Sequence, residues 1–305
     1  MKHTLRITLL LVGMFLVSQL IGLGVLSQYV EKPSLETGNV TFSALPYIER
    51  PVMAETESFW YIIGAILIGT ALVLVLIRFR RIFLWKLWFF LSAFFCLTAA
   101  LAALLPREIA ALIGAALAWL KLYRPQAWTH NLSELLIYPG LAAIFVPVLS
   151  VRVMFLLLLV ISVYDMYAVW KSKHMVKIAE FSKETNVFAG LHVSYKMSSP
   201  DKKQTKKIPM DTPGSRHSSR HETKSALLGG GDIGFPLLFA GAVFASLAVK
   251  YGLLGGFLRT LPIPIFAGLA LFLLLVYGKK DRYYPALPFL TAGCLAGWAV
   301  VYLLS

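Results

Sequence analysis

Residues 151–170, "VRVMFLLLLVISVYDMYAVW", and 227–241, "LLGGGDIGFPLLFAG", decide the reading of this chain, because each joins a long apolar run to a single carboxylate. A helix needs about twenty apolar residues to cross a hydrocarbon core about 30 Å thick at about 1.5 Å per residue. Similar runs recur along the whole sequence: Ile7–Leu26, Phe59–Ile77, Phe83–Leu105, Ile109–Leu120, Leu132–Leu149, Val151–Trp170, Leu227–Val249, Pro262–Tyr277 and Ala286–Leu304. The 305 residues are 58% hydrophobic and only 14% charged, against about 25% charged in ordinary globular proteins, which excludes a soluble fold. The expectation is an all-α, polytopic integral membrane protein with nine transmembrane helices.

Charge orients the spans. With the N-terminus cytoplasmic, 23 of the 29 Lys and Arg fall inside, and Lys32, Arg50, Arg107, Arg152, Lys250 and Arg259 fall outside. The fourth run is short enough to be an interfacial helix, but if it did not cross, every later segment would invert, against the positive-inside bias. The first run is too long for a signal-peptide core and no small-x-small cleavage site follows it, so it reads as a span. The net charge of +14 then reflects cytoplasmic loops in contact with the lipid bilayer rather than a nucleic-acid partner. Cys96 and Cys294 both lie inside apolar runs, too few and too buried for a disulfide framework or a structural metal site.

Three parts follow from composition: residues 1–170 with six spans, a basic cytoplasmic connection over 171–226, and residues 227–305 with three spans. The middle of the connection, "SSPDKKQTKKIPMDTPGSRHSSRHETK", lacks aromatic residues and is expected to be disordered. Before it, Met175, Ile178 and Phe181 recur at helical spacing. Leu191–Met197 alternates in the manner of a strand, although without a substrate it is expected to be poorly ordered. Asn39-Val40-Thr41 is a formal glycosylation sequon on the outer side.

Of the fifteen acidic residues, thirteen, Glu108 and Glu134 among them, are read as loop or span-end residues. Asp165 and Asp232 are embedded in apolar runs, and an ionisable group there is a functional-site hypothesis by default. Topology brings them to one depth: Asp165 lies about 9 Å along its helix before Lys171, and Asp232 about 12 Å after Lys224, both in the cytoplasmic half of the bilayer. Two carboxylates in one wet cavity are held most simply by sharing a proton. That is the chemistry of an aspartic protease, with one member as general base toward water and the other as general acid toward a peptide carbonyl, and it needs neither cofactor nor metal. A proton relay in a coupled transporter is the alternative use of such a pair. Gly229, Gly230 and Gly231 immediately before Asp232 disfavour a rigid helix and let backbone approach closely.

These residues fall into a known order. "YD" at Tyr164 and Asp165, "GGGD" fitting GxGD at Gly229–Asp232, and "PAL" at Pro285, Ala286 and Leu287 lie on the sixth, seventh and ninth spans. The chain thereby resembles the presenilin and signal peptide peptidase family of intramembrane aspartyl proteases, most closely its compact microbial homologues, over the whole nine-span layout. The resemblance implies that Asp165 and Asp232 are the catalytic pair and that Tyr164, Gly229, Gly230, Gly231, Pro285, Ala286 and Leu287 shape the site or meet substrate. It also implies substrates that are transmembrane helices cut near their cytoplasmic ends. "PALP" and the cytoplasmic N-terminus are presenilin-like, whereas "GDIGFP" is nearer the peptidase branch. Gly230 departs from the Leu usual at the variable position of GxGD, and nothing in this chain implies accessory subunits. Competing signatures, HExxH for a zinc protease and GxSG with a membrane His for a rhomboid, are missing. The six histidines read as ordinary polar residues at span ends or in loops.

Overall fold

The computed structural model describes residues 5–36, 38, 40–50, 55–172, 187–196, 223–278 and 284–303. Among them are nine long helices: α1 (Leu5–Tyr29), α2 (Glu55–Arg78), α3 (Ile82–Leu101), α4 (Arg107–Tyr123), α5 (Ala127–Phe145), α6 (Val151–Tyr167), α7 (Gly230–Thr260), α8 (Pro262–Tyr277) and α9 (Leu287–Leu303). Each apolar run of the sequence falls on one of these. Among the described residues, six helical stretches are long and apolar enough to cross a membrane: Leu5–Tyr29, Glu57–Arg78, Ile82–Leu101, Ala127–Val148, Val151–Lys171 and Gly230–Tyr277, the last containing both α7 and α8. The protein is an integral, multi-pass membrane protein. Helices dominate because a chain in lipid must satisfy its backbone groups within each segment.

Local chemistry sets the helix ends. The Ser150 side chain accepts the Val153 amide at 3.2 Å and starts α6, and Gln126 and Thr129 form a reciprocal cap at the start of α5. Within α7, Gly252 adopts φ 72° and ψ 173°, a left-handed conformation that interrupts the helix just past Lys250. The core is built by α1, α6 and α7, through Leu11, Phe15, Leu23 and Leu26, through Met154, Leu157 and Leu158, and through Ile233, Leu237, Phe239 and Phe244. Small residues bring other helices to backbone contact: a Cβ on Gly140 would meet the Cys96 carbonyl, and one on Gly297 would lie 2.6 Å from the Ile263 Cα. Both cysteines are buried and unpaired with each other.

The purely helical expectation needs one correction. Gly190–Lys196 (β1) and Thr223–Gly229 (β2) pair antiparallel, from Gly190↔Gly229 to Lys196↔Thr223. The stretch from Leu191 was expected to be poorly ordered without substrate. It is ordered because its alternation buries Leu191 against Leu228 and Ala226 in the main core. In addition, the Asn131 side chain donates to the His192 carbonyl at 2.8 Å and accepts the His192 amide at 2.9 Å. Pairing also moves the start of the helix expected at Leu227 to Gly230, since residues 227–229 belong to β2. Met197, the helical spacing at Met175, Ile178 and Phe181, and the segment 198–222 lie outside the described residues.

Candidate active site

Asp165 is 6% exposed, on the inner face of α6. Its Oδ2 accepts the backbone N–H of Leu287 at 3.3 Å. Leu287 is the first residue of α9, so its amide is one of those with no acceptor inside the helix and lies at the positive end of the helix dipole. An anion there satisfies both. One turn away Ser162 Oγ and Thr291 Oγ1 share a hydrogen bond of 2.7 Å, so α6 and α9 are joined twice. Beyond Asp165 the helix widens into a π turn over Ala168–Ser172, where the Ala168 amide donates to the carbonyls of both Tyr164 and Asp165. Pro285 is buried and Ala286 half-buried on the approach to α9. The contact to Asp165 therefore comes from the backbone of the third PAL residue, and Pro288 falls in the first turn of the helix, where a missing amide costs little.

Asp232 occupies the first turn of α7. Gly229 ends β2 in an extended conformation and precedes the helix (φ −64°, ψ 149°), and the Asp232 carboxylate turns back to its backbone amide. That is the reach of a carboxylate three residues into a helix toward the capping residue. A Cβ on Gly229 would lie 3.1 Å from Asp232 Oδ2, and one on Gly230 would lie 2.9 Å from the hydroxyl oxygen of Tyr138. Gly231 is exposed. Pro236 lacks the amide that the Asp232 carbonyl would otherwise receive, and one residue on, Gln19 of α1 donates Nε2 to the Ile233 carbonyl at 3.0 Å. The carboxylates of Asp165 and Asp232 lie within electrostatic reach of each other.

Several residues of this neighbourhood escaped the sequence reading. Glu134 and Lys121, read as span-end and loop residues, form an ion pair sealed in the bundle, with side chains 1% and 2% exposed. His130, read as an ordinary polar residue, lies with Nε2 2.8 Å from the Gly190 carbonyl. Their signal was present: His130, Glu134 and Tyr138 recur every four residues and so share one face of α5. Ser162, Thr291 and Gln19 are isolated polar residues in apolar helices, a pattern that in membranes often marks interhelical hydrogen bonds.

In this multi-pass bundle one carboxylate on α6 faces the start of α9, and a second lies in the first turn of α7. The family model described as signal-peptide peptidase, presenilin aspartyl protease matches residues 12–305. The chain belongs to that family, and it is an intramembrane aspartic protease of the GxGD type. Two solved structures of a presenilin family intramembrane aspartate protease share its fold. One, in space group C222, is 20% identical with a TM-score of 0.60, covering 98% of this chain and 99% of that one. The other, in space group P2, is also 20% identical, with a TM-score of 0.61 and coverage of 97% and 98%. No curated protein sequence matches significantly.

Proposed function

We propose that Asp165 and Asp232 are the catalytic pair of this protease and hydrolyse peptide bonds within or near the cytoplasmic ends of substrate transmembrane helices. The observation that carries the reading is the Leu287 amide on Asp165 Oδ2, which seats one carboxylate at the start of α9 within reach of the other at the start of α7. With one proton shared between them, the ionised member takes a proton from water as the water oxygen attacks the scissile carbonyl carbon, and the protonated member donates to the carbonyl oxygen. Collapse of the tetrahedral diol then breaks the C–N bond, with a proton passing to the leaving amine. Tyr164, Gly229, Gly230, Gly231, Pro285, Ala286 and Leu287 shape the site or meet substrate. Nine spans with the N-terminus cytoplasmic, supported by the placement of 23 of the 29 basic residues, put the pair in the cytoplasmic half of the bilayer. In this reading residues 1–170 bring Tyr164 and Asp165, residues 227–305 bring GxGD and PAL, and 171–226 is the cytoplasmic connection.

A substrate helix must open before hydrolysis, and its freed backbone needs a partner strand. The sheet suggests which edge serves. His192 gives both backbone groups to Asn131 of α5, so it belongs to a pair whose hydrogen-bonding groups point away from the partner strand. Its partner Leu227 then presents its own N–H and C=O on the side of β2 away from β1. The outer edge of β2 is where an extended substrate is best received.

The test is cleavage of a single-span substrate in proteoliposomes by the wild type, Asp165→Asn and Asp232→Asn. Loss of proteolysis in both folded variants is expected. Substantial activity in either one would sink the pair as acid and base, and turnover of a proton gradient without proteolysis would point to the transporter reading.

A further inference from the structure

The catalytic reading leaves one buried charged cluster without a role. Lys121 of α4 and Glu134 of α5 are paired inside the bundle. The second carboxylate oxygen of Glu134 accepts the hydroxyl of Tyr138, one helical turn further along α5. Lys121 Nζ also lies 3.2 Å from His130 Nδ1 and donates to the Phe188 carbonyl at 3.5 Å. His130 Nε2 in turn meets the carbonyl of Gly190. One end of the network therefore holds the chain where it enters β1. Gly190 itself has φ 142° and would place a Cβ 2.2 Å from the Leu228 carbonyl oxygen, so that entry tolerates no side chain.

The other end of the network reaches the start of α7. The Tyr138 hydroxyl and ring fill the space that a side chain on Gly230 would occupy, at 2.9 and 3.3 Å from an ideal Cβ. The Gly230 amide donates to the Ala189 carbonyl at 3.2 Å, so the backbones entering β1 and α7 are tied directly as well. Asp232, two residues on, lies within electrostatic reach of Tyr138.

Stability alone does not account for such a cluster. Desolvating two charges can cost more than their attraction returns, and apolar replacements of buried ion pairs are often neutral or stabilising. A charge-held hydroxyl does offer a fixed orientation, since Tyr138 is clamped by an acceptor that is itself clamped by an ammonium group.

We infer that Tyr138, held by the Lys121–Glu134 pair, is a positioning residue that sets where Gly230 sits against the entry to β1, and with it the aim of Asp232. The inference rests on the catalytic role proposed for Asp232 and assigns the network the alignment of that carboxylate with a substrate received on the adjoining sheet. Tyr138 does not touch the reacting atoms. Its removal therefore acts on turnover more than on substrate capture.

Two measurements on the full-length protein in detergent and proteoliposomes test this. In the kinetic arm, Tyr138→Phe keeps the ring and removes the hydroxyl. We expect kcat to fall about tenfold, in line with the cost of sub-ångström misplacement of a catalytic group, while KM stays within about twofold. A wild-type kcat in the folded variant, or a change confined to KM, would overturn the inference. In the thermal arm, Gly230→Ala is measured alone and combined with Tyr138→Phe. The added Cβ meets the tyrosine oxygen, so the alanine should lower the melting temperature in the wild-type background and much less in the Phe background; additive shifts would overturn the contact. This arm does not depend on proteolysis. If the wild type proves inactive while the thermal cycle shows coupling, the catalytic reading fails and the packing of Tyr138 on Gly230 stands. If Tyr138→Phe does not fold, Lys121→Met/Glu134→Leu, which removes both charges and the acceptor of the Tyr138 hydroxyl together, takes its place in the kinetic arm. There too a lowered kcat with unchanged KM supports positioning, and a wild-type kcat overturns it.

Discussion

Asp165 and Asp232 each meet the start of a helix, but the two helix starts differ in kind. Asp232 lies in the first turn of its own helix and turns back to Gly229, so GGGD positions it by local geometry. Asp165 lies near the end of α6 and meets the start of a different helix, α9, through a contact spanning 122 positions in sequence. The first carboxylate takes its orientation from its own motif, which Tyr138 packs against at Gly230, and the second from the start of a distant helix. Asp232 should therefore respond to changes at Gly229–Gly231 and Tyr138, whereas Asp165 should be sensitive to anything that shifts α9 relative to α6.

The largest expected effect removes either carboxylate. Asp165→Asn and Asp232→Asn should each lower cleavage by at least about 10²-fold, because one carboxylate cannot be general acid and general base at once. The wild-type rate should trace a bell against pH, set by the pair as a unit rather than by either residue. Next comes the contact that distinguishes the two settings. Leu287→Pro deletes the amide donor to Asp165 at a helix position where proline is tolerated, so it should lower kcat about tenfold more than Leu287→Ala, which removes side chain only. Equal rates for the two variants would show that the Leu287 amide does not aim Asp165.

Leu227→Pro removes one donor on the outer edge of β2 without breaking a β1–β2 hydrogen bond, and proline is accommodated at such edges. Cleavage of helical substrates should fall several-fold, while binding of small inhibitors directed at the carboxylates is unchanged. A smaller effect is expected one turn from Asp165. The double-mutant cycle of Ser162→Ala with Thr291→Val should report about 1 kcal/mol of coupling in thermal unfolding, and a similar cycle across the Asp232 side, Gln19→Leu with Ser162→Ala, should report none. The smallest expected effect is that of EDTA, which should leave the rate unchanged, since two-carboxylate hydrolysis requires no metal ion.

The membrane-spanning character, the placement of the nine long helices and the setting of Asp165 and Asp232 within apolar helices were legible in the sequence. The burial of Lys121 was not. An isolated lysine past an apolar run reads as a cytoplasmic anchor, and only the approach of α5 beside α4 supplies the carboxylate that allows it inside. Nor was the order of the strand at Leu191. Alternation announces a strand but not its partner, and β2 reads in sequence as the opening of an apolar span.

What the sequence determined by itself is what chain length and local chemistry control: which segments are apolar enough to leave water, and that Asp165 and Asp232 are embedded in two of them. Tertiary structure alone decided which face of each helix turns inward and which residues meet across it. In a soluble protein the apolar stripe of a helix identifies its buried face. In lipid the outer face is as apolar as the core, so that signal vanishes, and Trp60, Ile68, Phe83 and Leu112 lie exposed on helices whose composition resembles the buried ones. The pairings of Asp165 with Leu287, Lys121 with Glu134 and Tyr138 with Gly230 had to wait for the helices to be packed, because no one-dimensional periodicity records them.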